Sequence, residues 1–248
     1  MNKDVSGFPS SKDDGLIVFF GDKQHEISIR EIKQLRHSES LKKLVNDHGL
    51  KTFIVLDQTH GSQGVCVEET DDLKNKTNFE SWFEYKGDFI VTNKKNCALV
   101  VLTADCIPLV LYDKKKGAIG IVHAGWKGTA NGVVFRAIEK MQHVYGTSLK
   151  DVQCFFGWSA GDCCYEVTSE FLEHFKNFDY GHNRFIQKQN KIFFNNRLHV
   201  CDGLKKFGIQ SENIYTTNEL CTICNIRFCS ARREKEHAGR QVTFVALN

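Results

Sequence analysis

Unbroken apolar runs alternate along this chain with segments whose apolar residues recur every three or four positions, so strand and helix signals are interleaved. Phe53 to Leu56, the stretch "GDFIVT", "CALVVLTADC", Ile107 to Tyr112, Ala118 to Val122 and "VQCFFGWSAG" read as strands. The runs Ile107 to Tyr112 and Ala118 to Val122 flank the turn "DKKKG", which predicts a hairpin. Neither run alternates with polar residues, so both are expected to be covered on two faces. Helical spacing appears at Ala130, Val133, Val134, Ala137, Ile138 and Met141. "SIRE" at Ser28 to Glu31 has capping-box spacing ahead of Ile29, Ile32 and Leu35, and Leu41, Leu44 and Val45 continue that helix or begin another ending near Gly49. "TSEFLEHF" predicts a short helix capped by Thr168 or Ser169. "KIFFNNRLHVCDGLKKFGI" predicts a strand and then a helix ending near Gly208, and "QVTFVAL" a closing strand. Strands interleaved with helices, some joined as hairpins, predict an α/β or α+β domain with mixed sheets.

Composition narrows this picture only a little. A chain of 248 residues with 41% hydrophobic content can build a sizeable core. Lys and Arg number 33 against 30 Asp and Glu, a bias too weak to point to nucleic acid or an anionic membrane. No apolar run approaches the roughly 18 to 20 residues needed to span a bilayer. There is no repeat or Pro/Gly/Ser linker, so residues 15–248 are expected to form one domain behind a disordered polar segment at 1–14. The N-terminus lacks a secretory pattern, which leads us to expect a cytoplasmic protein, monomeric by default, whose ten cysteines are reduced.

Three strand ends carry the chemistry. His60 in "DQTHG", Cys106 in "TADC" and His123 in "HAGW" each follow an apolar run and stand beside small residues. Two imidazoles and a thiolate suit Zn²⁺ with a fourth position open, as in a catalytic site, and Cu²⁺ is an alternative occupant. The same residues permit a metal-free hydrolase in which Cys106 is the nucleophile, His123 its base and His60 an orienter. Asp105 is a further catalytic candidate, as an acceptor for an imidazole N–H or a proton carrier; its other role is to cap a turn.

The blocks "TADCIPLVLYD" and "HAGWKGTANGVV", together with "QTHG", "GDFIVTN", "CCYEV" and the late "CT" and "RFCSARREKEHAGRQ", occur in an order that resembles the YfiH or laccase-domain family. The resemblance covers roughly Phe53 to the C-terminus. It implies a four-layer α/β/β/α arrangement of mixed sheets and a zinc held by His60, Cys106 and His123. It also implies a purine nucleoside enzyme, catalysing phosphorolysis of adenosine, inosine, guanosine or methylthioadenosine and deamination of adenosine. Family members also go by the names polyphenol oxidase and peptidoglycan-editing factor, which keeps a copper oxidase and an amide hydrolase as alternatives. Phosphate needs cationic or N–H donors, and Lys127, Arg232, Arg233 and Arg240 are the candidates, with Gln58 beside the nucleoside. Lys127 stands where the family commonly has Arg, a point charge in place of a fork. The glycine-rich N-terminal segment of many relatives is missing.

Cys221, Cys224, Cys229 and His237, with Arg227, Arg232, Arg233 and Arg240 nearby, admit a competing reading as a zinc knuckle for nucleic acid. Their spacing fits none of the common fingers. Cys163 and Cys164 are expected to be buried thiols, and Tyr165 and Glu166 either line the pocket or pack.

Overall fold

The unbroken apolar runs become the central strands of two six-stranded mixed sheets. The computed structural model describes residues 15–28, 38–50, 52–69, 81–216 and 220–248. The first sheet holds β1 (Leu16–Phe20), β2 (Glu26–Ile27), β3 (Thr52–Asp57), β5 (Ser81–Lys86), β7 (Cys97–Thr103) and β15 (Arg240–Leu247). Its order is β1-β15-β7-β3-β5, with β2 also on β15; β3 runs parallel to β5 and β7, and β15 antiparallel to β1 and β7. The second sheet holds β4 (Val65–Cys66), β6 (Phe89–Thr92), β8 (Ile107–Asp113), β9 (Ala118–Ala124), β10 (Val152–Phe156) and β14 (Ile214–Thr216), in the order β14-β10-β8-β9-β6-β4. A small third sheet joins β11 (Glu166–Val167), β13 (Lys191–Phe194) and β12 (Phe185–Lys188).

Strand periodicity sorts the core into layers. On β8 and β9, Val110, Tyr112, Ile119 and Ile121 meet Ile54, Leu56, Leu99, Val101 and Val245 of the first sheet. The alternate residues, Ile107, Leu109, Leu111, Ala118 and Val122, pack against Val133, Val134, Ala137, Ile138 and Met141 of α3 (Val133–Tyr145). On the far side of the first sheet, Phe53, Val55, Ala98 and Val100 meet Leu41 of α1 (Glu39–Asn46). The result is the expected α/β/β/α stack. Every residue of β7, β8 and β9 is buried, as their lack of alternation predicts.

Helix boundaries differ from expectation in two places. Ala130 belongs to a separate short helix, α2 (Trp126–Ala130), because Gly132 adopts a left-handed φ of 75° and breaks the run before α3. The "TSEFLEHF" segment forms a 3₁₀ helix over Glu170–Phe175, and Ser169 precedes it without a side-chain capping bond. α4 (Asn196–Phe207) ends at Gly208 as predicted and begins with Asn195, whose side chain accepts from the Leu198 N–H. Residues 29–37, which hold the "SIRE" helix beyond Ser28, and the 1–14 segment lie outside the described residues. Among the described residues no helix is long and apolar enough to cross a membrane.

Candidate active site

The ends of β3, β7 and β9 meet at one end of the gap between the sheets. β3 and β7 are parallel, so the loops that carry His60 and Cys106 leave the same edge of the first sheet. β8 and β9 pair with Ile107 opposite Ala124 and Pro108 opposite His123, which sets Cys106 beside the end of β9. His123 shares its face of β9 with Ile119 and Ile121, so its ring enters the gap between the sheets. The ligating atoms of His60, Cys106 and His123 all lie within 4.8 Å of one another, and the two rings meet edge to face with centroids 4.8 Å apart.

Asp88, in the turn between β5 and β6, organises two of the three. His123 Nδ1–H donates to its carboxylate at 2.8 Å, leaving Nε2 as the ring's ligating atom. The same carboxylate accepts the His60 N–H at 2.9 Å, the Gly61 N–H at 2.7 Å and the Thr59 hydroxyl at 2.7 Å. These bonds hold His60 in a left-handed conformation, φ 58°. Burial pushes the Asp88 carboxyl up, but the bonds from His123, Thr59 and Gly61 outweigh it and hold it below the usual carboxylate range. Burial likewise raises the Cys106 thiol, yet the charge of His123 and hydrogen bonds from His123 and His60 bring it down to about 6. Gly125 leaves the space this cluster needs: a Cβ there would stand 3.0 Å from the Cys106 sulfur and 3.3 Å from His60 Cδ2. Three donors of borderline softness around such a cradle fit a metal ion.

The cluster forms the floor of a cavity of about 720 Å³. Leu56, Gln58, Leu102, Asp105, Trp126 and Tyr165 line its walls, and Arg232, Lys235 and Arg240 bring cations to it. Arg232, on α5 (Ala231–Glu234), lies over the Tyr165 ring, 5.3 Å from its centroid.

Of the residues picked out by sequence, His60, Cys106, His123, Asp105, Gln58, Arg232 and Arg240 reach this cavity. Asp105 does not orient an imidazole. Its carboxylate accepts from the Thr222 hydroxyl at 2.7 Å, the Ser230 hydroxyl at 3.0 Å and the Arg232 N–H at 2.7 Å, tying the Cys106 turn to the loop that carries α5. The Gln58 amide is used on Leu102, whose carbonyl and N–H it bonds at 2.8 Å each. Lys127 is exposed over the Trp126 ring and is not among the lining residues. Arg233 turns away, donating to the carbonyls of Thr222, Ile223, Asn225 and Phe228. Sequence reasoning missed Asp88 and Lys235. The zinc-knuckle grouping is also corrected: Cys229 is buried, His237 sits exposed beside Glu236, and Cys221 and Cys224 instead gather with Cys163 and Cys164. Cys163 is exposed, not buried as expected.

Comparison with known proteins agrees with this architecture. Residues 33–248 match the family model described as multi-copper polyphenol oxidoreductase laccase. A purine nucleoside phosphorylase of Clostridium acetobutylicum is 28% identical over 246 residues, covering 98% of this chain and 96% of the relative. The protein named adenosine deaminase RL5, from an unknown prokaryotic organism, is 28% identical over 200 residues, covering 79% and 75%. The crystal structure of Bacillus licheniformis YfiH superposes with a TM-score of 0.80 at 23% identity, covering 96% of this chain and 94% of that one. With the fold shared and the family model matched over most of its length, this chain belongs to the laccase-type, YfiH-like family.

Proposed function

We propose that the chain is a metal-dependent purine nucleoside enzyme, phosphorolysing adenosine, inosine, guanosine or methylthioadenosine and deaminating adenosine at one site. The observation that carries this reading is the cavity itself, in which a His₂Cys cluster, two aromatic rings and three cations face a volume of about 720 Å³. His60, Cys106 and His123 would hold the metal, zinc by the softness of the donors, and the ion supplies a Lewis acid. Trp126 and Tyr165 offer faces for a purine. Arg232, Lys235 and Arg240 supply the charge that a phosphate requires. In phosphorolysis a phosphate oxygen bonds to C1′, the C1′–N9 bond breaks with its electron pair passing to the base, and the base takes up a proton. Deamination replaces the C6 amine with water's oxygen and releases ammonia. The names of the relatives, a purine nucleoside phosphorylase and an adenosine deaminase, support both reactions.

Chromatography of the products from adenosine, with and without phosphate, tests the proposal. Adenine appearing only with phosphate marks phosphorolysis, and inosine without phosphate marks deamination. Adenosine unchanged in both conditions by metal-replete protein would rule the reading out. A second reading has one observation in its favour: His123 bonds to Asp88 on one side and has its ligating nitrogen within 4.8 Å of the Cys106 sulfur on the other, an order resembling that of a cysteine hydrolase. Metal bound by Cys106 itself separates the two, read as the zinc lost on going to Cys106→Ala, since a Cys–His hydrolase needs a free thiolate. The multi-copper description of the family fits less well. The described residues gather two groups able to hold a metal, and only one contains imidazole, whereas multi-copper oxidation needs many imidazoles together.

A further inference from the structure

We propose that Cys163, Cys164, Cys221 and Cys224 form a second metal site, a closed tetrathiolate centre for a soft divalent ion such as zinc. The four sulfurs lie within 4.8 Å of one another, with Cys163 and Cys224 at 3.9 Å, and none is in a disulfide. A tetrahedral Zn²⁺ with bonds of about 2.3 Å sets its sulfurs about 3.8 Å apart, so small adjustments would close the site on one ion. The backbone is already arranged for it. Ser159 bridges Cys221, the Thr222 N–H donates to the Ser159 carbonyl at 3.1 Å, and the Gly161 N–H donates to the Cys221 sulfur at 3.2 Å. Gly161 also keeps the centre open, since a Cβ there would stand 3.5 Å from the Cys163 sulfur and 3.1 Å from Cys221 Cβ. The Arg233 guanidinium braces the loop that carries Cys221 and Cys224 by donating to the carbonyls of Thr222, Ile223 and Asn225.

With all four positions filled by protein, the site is structural, not catalytic. It joins two segments far apart in sequence, each of which delivers a wall of the cavity: Tyr165 follows Cys164, and Ile223 lies between Cys221 and Cys224. Thr222, in the same turn, holds Asp105 and through it the Cys106 turn. The ion would therefore fix the cavity's rim relative to its floor.

The test is metal content of protein purified under reducing conditions without chelator, added metal or a histidine tag. A Cys106→Ala variant, with the floor site removed, is expected to retain one zinc per chain, and its cobalt-exchanged form to show an intense sulfur-to-metal charge-transfer band. Cys163→Ser combined with Cys224→Ser is expected to lose one equivalent relative to the unmodified protein. X-ray absorption at the zinc edge of the unmodified protein, which needs no variant to fold, is expected to show a sulfur-dominated first shell. Folded Cys106→Ala protein without metal, a zinc shell averaging one sulfur, or a disulfide among the four cysteines in freshly purified protein would each overturn the proposal. None of these outcomes depends on whether adenosine is a substrate.

Discussion

Four donors converge on the carboxylate of Asp88, and through them one acid sets the direction of His123 and the backbone of His60. Replacing it by Asn keeps the shape but presents an amide N–H₂ to groups that need an acceptor. Asp88→Asn is expected to weaken metal binding by about 10- to 100-fold, measured by competition with a chelating dye; unchanged affinity would show that the acid has no hold on the ligands. At Gly125 the constraint is steric. Gly125→Ala places a methyl 3.0 Å from the Cys106 sulfur, so metal binding is expected to weaken while far-UV circular dichroism stays unchanged, and full affinity would contradict the cradle described above. His60, Cys106 and His123 were legible in the sequence because each follows an apolar run and stands beside small residues. Asp88 was not, because its partners at Thr59, His60, Gly61 and His123 lie about thirty positions away and meet it only when the sheets assemble. Arg233 was misread for a related reason: a charge beside a motif does not reveal that backbone carbonyls already occupy its guanidinium.

Among the elements, the central strands were the most legible, since burial on both faces leaves an uninterrupted apolar run. The break before α3 was not, because the apolar spacing continues through Gly132 while the backbone turns left-handed there. α4 shows how an element can hide a titratable group. Its His199 is buried among Phe175, Phe178, Tyr180 and Phe194, and neither ring nitrogen has a hydrogen-bond partner among the described residues. Burial, reinforced by the charge of Arg184, pushes its pKa down from 6.5 to about 3. Below pH 6.5 the unfolded chain takes up a proton that the folded chain refuses, so stability falls as pH drops from 6.5 towards 3, by at most about 1.4 kcal/mol per pH unit from this residue. Above pH 6.5 its contribution is constant. Urea titrations at pH 7.5, 6.0 and 4.5 are expected to show this loss in the unmodified protein and a smaller one in His199→Leu; equal slopes in the two would remove His199 from the account.

For the whole molecule, two stacked sheets leave an open end to the gap between them, and the chain repeatedly places functional groups there. β3, β7 and β9 bring His60, Cys106 and His123, while Arg232, Lys235 and Arg240 arrive from α5, the turn after it and the start of β15. The cations matter by position, since the net charge of +3 on 248 residues is unremarkable and gave no sign of an anion site. Lys235 was invisible for the same reason: it sits in a run of mixed charge, and only its left-handed turn after α5, φ 51°, marks it as constrained. The central claim is that the His60, Cys106 and His123 cluster performs chemistry on purine nucleosides. Adenosine turnover by Cys106→Ala, compared with unmodified protein in the presence of phosphate, tests it most directly. The account predicts products from the unmodified protein and none above the uncatalysed background from the variant; turnover surviving in folded Cys106→Ala would contradict it.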